Sequence, residues 1–187
     1  MDTITFYDEW LHLPKQHFRI LAMLADVGEF RGSLADLCRY LRINPDQKKH
    51  REKLRESIEY LTSIGFIICQ QSGRTYQLQA IPKEKTIPMK REWLHHLMNR
   101  TNKNPSVAWE QVLKVYLWIR EHDPAQFVTN QQIATDLGIS VNVVVDAKNV
   151  LKREYGAIIG RTVSKRRGEN LFCTLGQQIT PNAWWNV

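Results

Sequence analysis

Residues Thr129–Ile158 read TNQQIATDLGISVNVVVDAKNVLKREYGAI, and the punctuation of this stretch decides how the chain is read. Thr129 and Gln132 have the spacing of a capping box, in which each side chain meets the other's backbone N–H at a helix start. Gly138 after Leu137 permits a sharp turn. Ser140 then opens a second helix, on which Val144, Ala147 and Leu151 fall on one inward face. Gly156 ends that helix, since glycine tolerates the backbone conformation that closes one. Upstream, SVAWEQVLKVYLWIREH (106–122) is an apolar-rich helix. Downstream, AIIGRTV (157–163) and LFCTL (171–175) are predicted strands. Between them lies VSKRRGEN (163–170), predicted as a hairpin tip carrying Lys165, Arg166 and Arg167. The order is helix, helix, helix, strand, strand.

The first half of the chain repeats this order. KQHFRILAMLAD (15–26) places Phe18, Leu21, Ala22 and Ala25 at helical spacing, and GEFRG (28–32) ends it. In SLADLCRYLRI (33–43), Ser33 can cap a helix with Leu34, Leu37, Cys38 and Leu41 on one face. Asn44-Pro45 stops it, because proline cannot continue a helix. A third helix, KKHREKLRESIEYLTSIG (48–65), buries Leu54, Ile58, Leu61 and Ile64 and ends at Gly65. FIICQQSGRTYQLQA (66–80) is a hairpin with its turn at Ser72-Gly73. The expected fold class is therefore α+β, mainly helical with small β hairpins. It is divided as 1–80, a basic linker 81–105, and 106–187. Pro82 and Pro88 interrupt the linker, NRTNKNPS (99–106) reads as a polar loop, and MKREWLHHLMNR (89–100) has the apolar spacing of a short helix.

A pair of helices joined by a tight turn and followed by a hairpin resembles the winged helix-turn-helix family. Ala134, Leu137, Gly138, Ile139, Ser140, Val144, Ala147, Leu151, Gly156 and Ile158 fall where that family's pattern has them. The segment before Gly156 is one residue longer than the pattern. The first half departs further: its turn has no glycine, NPDQKKH lengthens it, and Ser57 stands at the alanine position. The resemblance implies two duplex-DNA-reading units, each placing the helix after its turn in a major groove. It extends to replication initiators of plasmids and other mobile elements and to small transcriptional regulators.

On that reading the candidate DNA contacts of the second unit are Ser140, Asn142 and Asn149, with Lys148 and Lys152 nearer the backbone. Val143 and Asp146 are expected on the same exposed face, where Asp146 would repel phosphate. Asparagine can pair bidentately with adenine, and a methyl group can touch that of thymine. The first unit offers Gln47, Lys48, Lys49, Arg51 and Arg55, together with Arg74 at its hairpin turn. Glu52 and Glu56 on the same helix can pair with these cations one turn away. Lys165, Arg166 and Arg167 would lie against the phosphate backbone.

Charge agrees with an acidic partner. The 187 residues carry a net charge of +7, and the isoelectric point is about 9.4. Segment 81–105 holds six Lys or Arg against two acids, the most cationic share per residue. No phosphate-cradling glycine loop, HExxH or GxSxG occurs, so no catalytic residue, cofactor or small-molecule ligand is indicated. His95-His96 are adjacent rather than spaced as metal ligands. Cys38, Cys69 and Cys173 are scattered among apolar residues and read as buried thiols. The start, MDTITFYDEWLHL, lacks the cations and apolar core of a secretory signal, and no membrane span is expected, which predicts a cytoplasmic protein. Trp109, Tyr116 and Trp118 read as packing residues. Trp10 is not placed by the sequence, and the tail pair Trp184-Trp185 could cover the core, join a homodimer, or stack on bases, in that order of preference. The rival functional class is a protein-interaction module, such as a phage-borne inhibitor of a host enzyme.

Overall fold

In the computed structural model of the chain, residues 2–99, 107–122, 128–167 and 171–181 are described, with side chains described through Ile158. The chain divides into two compact units. One is Ile4–Thr86, and the other comprises Met1–Thr3 and Ile87–Val187. No helix among the described residues is long and apolar enough to cross a membrane.

The first unit begins with β1 (Thr3–Tyr7) and a 3-10 turn (Asp8–His12), which the sequence reading did not anticipate. Phe6 and Trp10 are fully buried there, their rings meeting edge to face at 6.1 Å. Trp10 is thus a core residue. Helix α1 (Lys15–Val27) follows. GEFRG is more than a helix stop: Glu29–Gly32 forms strand β2, pairing antiparallel with β4 so that Phe30 sits opposite Leu78. Four residues show too little alternation to be recognised as a strand; the pairing comes from the tertiary partner. Helix α2 (Leu34–Tyr40) carries the full capping box of Ser33 and Asp36. The Ser33 N–H donates to Asp36 Oδ2 at 2.9 Å, and Asp36 N–H donates to Ser33 Oγ at 3.2 Å. Helix α3 (Lys48–Ser63) buries Leu54, Ile58 and Leu61, whereas Ile64 beyond its end is exposed.

Strands β3 (Ile67–Ser72) and β4 (Thr75–Ala80) complete a three-stranded sheet in the order β2-β4-β3. Ser72 pairs with Thr75, so the turn residues are Gly73 and Arg74. Gly73, at φ 59, supplies the left-handed conformation that a two-residue hairpin turn needs.

In the second unit, β5 (Thr86–Lys90) runs into α4 (Arg91–Met98); the helix falls within the short helix expected over 89–100, whereas the strand was not anticipated. Leu94 and Leu97 of α4 are fully buried. The Arg91 N–H donates to Asp2 O at 2.9 Å, and its guanidinium pairs with the Asp2 carboxylate at 2.7 Å, which explains why the first residues group with this unit.

Helix α5 (Trp109–Glu121) is the core of the unit, with Val112, Leu113, Val115, Tyr116 and Leu117 inaccessible to water. Around it pack α6 (Asn130–Leu137) and α7 (Val141–Asn149). The turn between them uses Gly138 at φ 61. Strands β6 (Ile158–Arg167) and β7 (Leu171–Pro181) form a long antiparallel hairpin.

The two units close their third helices differently, and the difference accounts for the extra residue before Gly156. In the first, Phe66 N–H donates back to Leu61 O at 2.9 Å across Gly65 at φ 68. In the second, the matching bond is Ala157 N–H to Leu151 O at 2.7 Å, across Gly156 at φ 58. One more residue lies inside that ring. A π-helical turn over Val150–Glu154 absorbs it, with Tyr155 N–H reaching five residues back to Val150 O at 3.3 Å.

Candidate nucleic-acid interface

Helix α7 is set by its ends. Ser140 Oγ accepts from Val143 N–H at 3.4 Å. Its buried face is Val144 and Ala147, with Leu151 in the turn beyond. The residues opposite are therefore Asn142, Val145 and Asn149, all exposed, with exposed Lys152 in the next turn. Val145 is 37% exposed, an apolar side chain in the middle of a polar stripe. The sequence reading placed Val143 there instead. Counting back from the buried Val144 and Ala147 would have found Val145. Val143 and Asp146 are half-buried on the flanks.

Lys148 is otherwise engaged. Its ammonium donates to Asn130 Oδ1, at the start of α6, at 2.8 Å. Burial first, and the neighbouring Lys152 second, pull its pKa down to about 8. At the other end of α6, the buried Lys114 ammonium donates to Leu137 O at 3.3 Å, and desolvation brings its pKa to about 8 as well. A lysine thus bonds to each end of the helix preceding α7, one from α7 and one from α5.

The hairpin after α7 is longer than predicted. Lys165, Arg166 and Arg167 are in strand β6, opposite Cys173, Phe172 and Leu171. A run of cations does not break an edge strand, and such residues protect edges from unwanted pairing. Residues 168–170 lie outside the described residues, as do the side chains of the three cations. A bulge follows Val163, where the partner steps from Gly176 to Thr174.

On α3 the candidates diverge. Gln47 is the N-cap residue, without a side-chain cap bond. Lys48 and Lys49 are exposed in the first turn, with Lys48 3.5 Å from Glu52. Arg51 is half-buried and donates to Pro45 O, supporting the turn after α2. Arg55 lies over a groove of about 410 Å³ between α3 and the β3–β4 hairpin, alongside Glu59, Cys69 and Gln71. The side of α3 directly away from Leu54 and Ile58 carries Glu52, Glu56 and Glu59, all exposed. Arg74 is exposed at the hairpin turn. Cations therefore flank an acidic centre.

Lys83, Lys85 and Arg91 of 81–105 are engaged within their own units. Lys83 donates to Gly65 O at 2.9 Å and sits 4.4 Å over the Phe66 ring. Lys85 lies 3.5 Å from Asp8, and Arg91 pairs with Asp2. A further basic group escaped the sequence reading: Lys15 and Arg19 of α1, with His50 and Lys53 of α3, line a cleft of about 190 Å³.

Cys38 is buried and Cys69 half-buried, both as free thiols whose pKa burial raises. Among the described residues no three His, Cys, Asp or Glu are grouped to hold a metal. Cys173 belongs to β7, its side chain outside the described residues; Trp184 and Trp185 lie outside them altogether.

No protein-family model and no curated protein matches this chain.

Proposed function

We propose that the protein binds duplex DNA sequence-specifically through two winged helix-turn-helix units, in replication initiation or transcriptional control of a mobile element. One observation carries this reading. A helix entered through a glycine turn presents Asn142, Val145 and Asn149 on its open face, with a hairpin bearing Lys165, Arg166 and Arg167 following it. Two asparagines and a methyl-bearing side chain have the chemistry to read adenine edges and thymine methyls. The hairpin cations supply the sequence-independent attraction to phosphate. The second unit is thus the principal reader, and its sites contain A·T pairs.

Selection from a random duplex library tests this. The reading requires an enriched motif with A·T positions, and no enrichment would overturn it.

A second reading, docking to a protein, draws on the first unit. Tyr60 is 42% exposed, Ile64 37% and Ile68 50%, beyond the glutamates of α3. Weak, sequence-independent DNA affinity would favour it.

A further inference from the structure

We propose that the cleft between α1 and the start of α3 is a phosphate-binding site. It rests on the reading of the chain as a DNA-binding protein, and it assigns the first unit's backbone contact to this cleft rather than to the outer face of α3.

The cleft is lined by Lys15, Gln16 and Arg19 from α1 and by His50 and Lys53 from α3, above Leu54. None of its lining residues is acidic. Lys15, Arg19 and Lys53 thus share one cleft of about 190 Å³, and an anion in it would meet side chains of opposite charge from both helices.

The helix ends sharpen the point. Helices α1 and α3 have neither a side-chain cap nor an acid in their first turns, which carry Lys15 and Lys48, Lys49 and His50 instead, and of these Lys15 and His50 line the cleft. Cations are misplaced at the positive end of a helix dipole, where anions are favoured. By contrast, α2 has a complete capping box with Asp36 in its first turn. Local rules are thus broken at both helices that wall the cleft and obeyed at the helix between them, the pattern expected where binding sets the sequence. The His50 ring is held in place by Nδ1 donating to Asn44 O at 3.1 Å, so the wall is preformed.

The outer face of α3 is unsuited to the same task. Glu52, Glu56 and Glu59 would meet phosphate with like charge. Lys53 is the α3 lysine that lines the cleft beside α1.

The test uses the full chain and the double variant Lys15→Gln/Lys53→Gln, with Lys15→Arg/Lys53→Arg as the charge-keeping control. Affinity for a random-sequence duplex is measured across a salt series. Loss of two phosphate contacts lowers the log–log slope by about 1.8, at 0.9 per contact, and the arginine variant restores it. In a second arm, inorganic phosphate is titrated while backbone amide signals are followed. Shifts confined to 15–19 and 50–53, absent in the glutamine variant, support the site. An unchanged salt slope together with those shifts identifies a free phosphate compound as the occupant and overturns the backbone assignment. An unchanged slope with no amide shifts overturns the site. If the parent chain binds no duplex, the DNA reading fails, and the phosphate titration alone decides for or against the cleft.

Discussion

Lys114 is 1% exposed in the middle of α5, one turn after the fully buried Glu110. Desolvation disfavours its charged form and lowers its pKa from 10.5 to about 8. The unfolded chain therefore holds the proton more tightly than the folded one between those values. Folding stability rises with pH in that window, because the penalty for burying the ammonium disappears as it deprotonates. Lys148 acts in the same direction from about 8. Tyr116, pushed up to about 12 by burial, opposes them only above its ordinary value of 10. The buried thiols of Cys38 and Cys69 oppose them from about 9. Urea midpoints at pH 7.5 and 8.5 should thus increase for the parent, and the increase should be smaller in Lys114→Met. Equal increases in both proteins would show that Lys114 does not titrate in this range.

At the scale of elements, the turn between α6 and α7 depends on one backbone conformation. A Cβ added at Gly138 would meet nothing within 4 Å, so only its φ of 61 resists substitution. Gly138→Ala should cost about 1–2 kcal/mol, the penalty for a left-handed L-residue. Asparagine, which tolerates that region better, should cost less. Chemical denaturation of the two variants measures the difference, and equal losses would point to a contact rather than to the backbone. The π turn gives a complementary expectation. Deleting Arg153 should leave the second unit folded with its α7 stripe intact, because the first unit closes at the shorter spacing. Loss of native circular dichroism would contradict that account.

These elements also show where the sequence was legible. Ser33, Thr129, Gly65, Gly138 and Gly156 act locally, so helix ends could be read from residue types alone. Strand β2 could not, since it exists through its pairing with β4. Likewise β5 was not legible, because its proline and flanking cations look like loop chemistry, whereas the apolar spacing of 89–100 did point to α4; the partners of Lys83, Lys85 and Arg91 become visible only in three dimensions. Among candidate contacts, Asn142 and Asn149 follow from helical periodicity. The engagement of Arg51 with Pro45 and of Lys148 with Asn130 does not, nor does the lining of one cleft by Lys15 and Lys53.

At the scale of the whole molecule, a net charge of +7 leaves room for several acidic partners, so charge alone does not choose duplex DNA. The choice rests on chemistry that discriminates bases, and that chemistry is concentrated on α7. The most direct measurement compares motifs selected from a random duplex library by the parent and by Asn142→Ala. The account predicts a defined motif for the parent. It also predicts that the variant loses preference at one adenine position, by about 1–3 kcal/mol, while keeping the remainder. A parent that enriches no sequence, or a variant that weakens on all duplexes equally, would contradict it.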